Sequence, residues 1–457
     1  MLARSLITLI LTFVFGLQIL FSNTLIIDPH LSPFISSNNL IVAQNELLNL
    51  QDHYKSSEHN SLLTCEFSDF WRLKHNYQQS FQDESTSKRI LKMALRSGEL
   101  AVVWYPINYM TMVLQHEVFG HGYRMRSIGS GLGKVEGYKM TYMVDKYGFH
   151  VKDAHTRFSC CRAPSFSESI AISIAGLESN SIFAENLVFS WLEKGYIDPR
   201  QASLWRTNQF ACAKYIKTLK KLDGLTTIWY GSKSGHDIAR YYSTLHRCYG
   251  TTNDLEHHLG ELRLKANLTI LLNPFTYLSC LSELSYVFFN SSIPIFGFSG
   301  EGEYWVLPAY KMGLSPFGIE DIIELFIWKK GGSPTLVYFK FGQFSSNRYT
   351  GLGIENRKLL TTEYGSFGLK GDFWYQPPLL LDSISEKDMG YEAMCDRFLD
   401  AKNQKPGISL SVIYQKSSMK HPNTSVWAQL GGKTKGFLPG ESLVAAPIVK
   451  LGASYYF

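Results

Sequence analysis

Ile408-Ser409-Leu410-Ser411-Val412-Ile413-Tyr414-Gln415 alternates apolar and polar side chains through most of its length. Successive side chains of a strand point to opposite faces, so a period of two builds a sheet with one apolar face. The period recurs on both sides of this stretch. Thr335-Leu336-Val337-Tyr338-Phe339-Lys340-Phe341-Gly342-Gln343 carries it upstream, and Ile448 to Phe457 carries it to the end of the sequence. Segments of this kind fall at 303–312, 320–329, 334–344, 349–357, 364–375, 407–416, 424–433 and 447–457, with Gly, Ser, Asn and Pro between them. That spacing predicts about eight antiparallel strands. Residues 376–406 break the pattern and read as a long loop.

The last segment finishes Gly-Ala-Ser-Tyr-Tyr-Phe. An alternating terminal strand that ends on Phe resembles the C-terminal signature of bacterial outer-membrane barrel proteins. The resemblance implies a β-barrel of about eight strands in contact with outer-membrane lipid, in an exported protein of a Gram-negative-type bacterium. Strands of about ten residues fit the height of such a wall. The 26 Tyr and 29 Phe would supply its interfacial girdles. A soluble β-sandwich or lipocalin-like sheet has the same period and stands as the alternative.

Upstream of about residue 300 the period changes to a helical one. Ser167 to Leu192 is apolar on most sides and predicts a long buried helix, capped by Ser165 or Ser167 with Glu168 in its first turn. Pro106 suits the start of a helix over 106–124. Residues 134–151 suit a hairpin turning near Lys146-Tyr147-Gly148. From 196 to 289 the pattern stays helical. Asp198-Pro199 opens one helix, and Pro274 splits 268–298 into a core helix pair. The N-terminus carries Arg4 and an apolar run from Leu6 to Phe21, the layout of a signal peptide or anchor over 1–27. A polar linker over 28–60 follows. The expected fold is thus α+β and multidomain. A mainly helical domain over 61–298, periplasmic in this reading, precedes an antiparallel barrel-like domain over 299–457.

Possible chemistry concentrates in His116-Glu117-Val118-Phe119-Gly120-His121. Two imidazoles can hold a metal ion, and a neighbouring carboxylate that is not a ligand can take a proton from the water the ion activates. In zinc hydrolases the two histidines usually stand at i,i+4, on one helix face. Here they stand at i,i+5, which on a regular helix leaves the rings about 140° apart. A one-residue bulge would bring them together, and Gly120 supplies backbone freedom there.

This hexapeptide resembles the zinc motif of the dipeptidyl-peptidase III family of metallopeptidases, over six residues of the chain. The resemblance implies Zn2+ held by His116 and His121, Glu117 as general base, a third ligand from a Glu on a later helix, and a peptide or protein substrate. The family's second motif has two adjacent glutamates, which this sequence lacks. Glu178 on the long helix is taken as the third ligand, with Glu185 and then His155 in reserve. Gly176 before it would let helices pack closely. Tyr123 or His155 is the candidate to stabilise an oxyanion.

Other classes are set aside by the residues. Net charge is +6, but the basic residues form no long run, so no nucleic-acid footprint is read. Seven cysteines without a C-x-x-C argue against a Cys-type zinc site. His257-His258 point about 100° apart on a helix and suit a solvated face. Asn108, Gln115, Pro274 and Glu283 interrupt the apolar runs, against an intramembrane protease. A non-enzymatic surface protein with a structural His-Glu cluster is the reading from a different class.

Overall fold

The computed structural model describes residues 24–27, 86–128, 132–145, 148–219, 236–249, 255–295, 298–299, 304–329, 332–344, 347–381, 404–417 and 424–455. The expected export segment and the linker lie outside them, except that Thr24–Ile27 forms a strand, β1.

The helical part begins earlier than Pro106. Helix α1 (Thr86–Gly98), a π-helical turn (Glu99–Trp104), α2 (Tyr105–Leu114), a second π-helical segment (Gln115–Gly122) and α3 (Tyr123–Ile128) follow one another. The junction residues keep helical dihedrals, so the helix does not break. Proline lacks an N–H and crowds the carbonyl four residues back. The π turn just before Pro106 absorbs that mismatch, so the residue sits inside the helix rather than at its start.

Strands β2 (Gly133–Asp145) and β3 (Gly148–Cys160) form the expected hairpin, longer than the sequence suggests, and β1 pairs with β2. The long helix is α4 (Phe166–Lys194). Ser165 caps it: its Oγ accepts from Glu168 N–H, and Glu168 Oε2 accepts from Ser165 N–H at 2.8 Å. Gly195 ends it in the left-handed region. Helices α5 (Pro199–Gln209), α6 (Ala211–Thr218), α7 (Asp237–Tyr249), α8 (Leu255–Leu271) and α9 (Pro274–Phe289) complete the helical part. The Asp-Pro and Asn-Pro openings of α5 and α9 put a capping side chain before a proline, as each needs. Short strands β4 (Tyr196–Ile197) and β5 (Ile293–Pro294) pair with each other.

A two-residue strand, β6 (Phe298–Ser299), leads into eight long ones. These are β7 (Tyr304–Ser315), β8 (Gly318–Lys329), β9 (Thr335–Phe344), β10 (Asn347–Thr362), β11 (Gly365–Gln376), β12 (Lys405–Ser417), β13 (Thr424–Lys433) and β14 (Ala446–Tyr455). Each pairs antiparallel with its neighbours in sequence, as one meander. The α+β architecture and the eight alternating segments therefore stand. Closure does not: among the described residues no ladder joins β14 to β6 or β7. The sheet is open, which corrects the expected barrel. Part of the reason lies at the edge of β7, where Met312 N–H donates to Thr269 Oγ1 of α8 at 2.9 Å instead of to a strand.

The register sorts the side chains into two unlike faces. Glu320, Glu324, Lys340, Glu355, Asp372 and Lys433 point to one side and are buried. Phe339, Leu352, Phe373, Leu410, Leu430 and Leu451 point to the other and are 45–69% exposed. Helix α4 covers the polar side. Glu185 meets Lys311, which also pairs with Glu324, and Glu193 meets Lys358 at 2.9 Å. At one end of the sheet the inner face turns apolar. There Trp191 and Phe189 of α4, Trp205 of α5 and Phe275 of α9 share a core with Leu307, Phe326 and Leu336. Each such buried side chain contributes about 1.5–3 kcal/mol. A cavity of about 380 Å³, lined by the charged residues of α4 and the sheet, lies between them.

Candidate metal centre

The second π-helical segment carries the motif. Widening the hydrogen-bond ladder from i→i+4 to i→i+5 lets residues five apart lie one above the other. His116 and His121 therefore share a face, with Nε2 atoms 3.2 Å apart. Helix α4 crosses directly behind them. A Cβ on Gly120 would fall 2.6 Å from Gly176 Cα, and one on Gly176 would enter the His116 ring. Two glycines thus bring the helices together and leave the imidazole room. Ser179 Oγ donates to Gln115 O at 2.9 Å and fixes the crossing.

The third group is Asp237, the first residue of α7. Its Oδ2 lies 3.1 Å from His116 Nε2 and 3.2 Å from His121 Nε2. His121 Nδ1 donates to Ile172 O of α4 at 2.8 Å. A carbonyl only accepts, so in the neutral ring Nδ1 carries the proton and Nε2 presents a lone pair to the centre. The three atoms form a near-equilateral triangle with sides of 3.1–3.2 Å. Ligand atoms about 2.0 Å from a tetrahedral ion are about 3.3 Å apart, so the donor set fits a small divalent cation.

The field at the triangle favours positive charge. Burial alone would lower the His121 pKa, but facing Asp237, with Glu117 nearby, raises it to about 9. Burial likewise pushes Asp237 up, and the two imidazoles outweigh it, holding the carboxyl well below the usual carboxylate range. Glu117 is buried next to His116. Thr156 Oγ1 of β3 lies 2.8 Å from its Oε2 and 3.0 Å from its carbonyl oxygen. Tyr215 of α6 stands over His116 with ring centres 6.0 Å apart, and its hydroxyl accepts from Asp237 N–H at 3.3 Å.

No family model, curated protein or solved structure matches the chain.

The other candidates fall elsewhere. Glu178 does not join the triangle. Its Oε1 accepts from Arg124 and from Gly440 N–H, tying α3 and α4 to the β13–β14 connection. Seen from Gly176, Glu178 is two residues on, about 200° around the helix, and so faces away from His116. Glu185 belongs to the Lys311 cluster. His155, half exposed on β3, pairs with Asp153 at 3.2 Å. Tyr123 donates its hydroxyl to Gly440 O at 2.9 Å. His258 lies 3.9 Å from Glu261. Sequence reasoning missed Asp237. Its only signal is Gly235-His236-Asp237 before an apolar-periodic run, and an acid at a helix start commonly serves the helix dipole alone.

Proposed function

We propose that this chain is a metal-dependent hydrolase, a peptidase in which an ion activates water, seated in a bilayer by its sheet. The observation that carries the reading is the His116–His121–Asp237 triangle with buried Glu117 on the same π-helical segment. Imidazole with carboxylate suits Zn2+ well. Such an ion would lower the pKa of a water and polarise a substrate carbonyl. The chain's own residues supply the rest. His116, His121 and Asp237 hold the charge, and Ile172 O orients the His121 ring. Glu117, held by Thr156, takes a proton and returns it to the leaving amine. A peptide or protein substrate follows from the motif's resemblance.

The seat in the bilayer rests on the inverted polarity of the sheet. A soluble monomer rarely exposes an apolar patch beyond a few hundred Å2. Here six successive strands, β9 to β14, present large apolar side chains outward and turn polar or ionisable ones inward. That is the pattern of a lipid-facing wall with a polar interior. The proposed location is the outer membrane of a Gram-negative-type envelope.

The test is metal analysis of the detergent-purified full chain, with hydrolysis of quenched-fluorescent peptides. Wild type should hold one divalent ion per chain at neutral pH. Glu117→Gln should keep the ion and lose about 10²–10⁴-fold in rate. Wild type without stoichiometric metal would sink the proposal and leave the non-enzymatic reading, with a structural His-Glu cluster.

A further inference from the structure

Helix α9 carries an outer stripe that the metal centre does not use. Tyr277, Leu281, Leu284 and Phe288 recur at three- and four-residue spacing and are 42–53% exposed. Cys280, a free and exposed thiol, lies between them in sequence. The opposite face is buried: Phe275 and Leu278 pack into the core that holds Leu307 of β7 and Phe326 of β8. Those strand residues point to the inner side of the sheet. The outer stripe of α9 therefore faces away from that shared core, as the apolar face of the sheet does. Glu283 is the one Asp, Glu, Lys, Arg or His in α9. It pairs with Arg206 of α5, so it does not charge the stripe.

Helix α1 crosses the end of α9. Arg96 Nη1 donates to the carbonyls of Tyr286 and Val287, both at 2.9 Å. Lys88, Arg89, Lys92 and Arg96 make α1 cationic, and it contains no acid. Ile90, Leu91 and Leu95 are 43–60% exposed beside them. A helix with a basic face and an exposed apolar face suits the layer between phosphate headgroups and acyl chains.

From this we infer that α9 supplies the helical part of the lipid-facing wall at the β7 end of the sheet, and that α1 lies in the headgroup layer against anionic phospholipid. The inference rests on the proposed seating of the sheet in a bilayer. Two features support it independently: the inner face of α9 shares the sheet's inner core, and the charge of α1 complements an anionic surface. No helix among the described residues is long and apolar enough to cross a membrane alone. A helix in a mixed wall has no such need, because strands carry the crossing.

The experiment uses the full chain in phosphatidylcholine vesicles with and without phosphatidylglycerol. One variant keeps Cys280 as its only cysteine, and a second, cysteine-free otherwise, carries Leu410→Cys on the outer face of β12. Each thiol is given a fluorescent label. Quenching is read with nitroxide-labelled acyl chains and with aqueous iodide. Acyl-chain quenching of both labels, about twofold or more, is the expected result. Quenching at position 410 with iodide access at Cys280 overturns the inference and leaves the seating of the sheet intact. Iodide access at both positions overturns the two together. A Cys280 label shielded from both quenchers, in a protein that sediments as a dimer in detergent, assigns the stripe to a second copy and also overturns the inference. For α1, phosphatidylglycerol should tighten vesicle binding of wild type about tenfold or more, and Lys88→Glu with Lys92→Glu should remove that gain. Equal gains in both proteins would refute the headgroup assignment.

Discussion

Asp237 and Gly176 settle the centre at the scale of single residues, through charge and through room. Asp237→Asn keeps the shape but removes the anion, so the two imidazoles would face a neutral amide. Divalent metal content should then fall below stoichiometric after dialysis, while circular dichroism stays that of wild type. Gly176→Ala puts a methyl into the His116 ring. Metal affinity should drop about 10–100-fold, the range seen when the support of a ligand is disturbed, measured by competition with a chromophoric chelator. The centre also has a pH signature. Folding raises His121 from 6.5 to about 9 in the ion-free protein. The stability this contributes is complete below about pH 6.5 and is lost as pH rises through about 9. An ion must displace that proton, so loading at pH 7 should release about one proton from His121. Calorimetry in two buffers of different ionisation enthalpy measures it; a release of zero would contradict the field described here.

Among the elements, the π-helical segment and α4 divide the work. The segment turns an unusual spacing into a shared face, and α4 supplies the carbonyl for His121 and the gap for His116. Helix α4 is long and buried, and its N-terminus is fixed by the reciprocal Ser165–Glu168 pair. Ser165→Ala should cost about 1 kcal/mol of stability in denaturant melts, without changing metal stoichiometry. Because the same helix carries Glu185 and Glu193 into the sheet, it also joins the candidate metal centre to the polar interior. The helical and strand halves share cores and are not independent layers.

For the molecule as a whole, the sheet's inverted faces make the strongest demand on environment. Leu410 is 54% exposed at the centre of the apolar face. Leu410→Lys should destabilise the vesicle-embedded protein by about 2–4 kcal/mol if that position lies near the bilayer midplane. At the same position, Leu410→Ala should cost far less, because it adds no charge to lipid. Urea titrations in vesicles compare the two. Similar effects from both substitutions would place the sheet in water.

Strand number, register period and the long α4 helix were legible in the sequence, because each depends on local alternation or helical spacing that neighbouring residues carry. The bulge around Gly120 was legible as a requirement: at i,i+5 two rings on a regular helix diverge, and the chain meets this with a π-helical segment. Two things depended on tertiary structure. Asp237 lies 116 positions after His121 and approaches it only because α7 packs against α4; no local pattern encodes that approach. The edge of β7 beyond its short pairing with β6 is likewise set by where α8 falls, since a hydrogen bond to Thr269 stands where closure would need a strand. Periodicity fixes which face a side chain takes, but which distant segment meets that face is decided by packing.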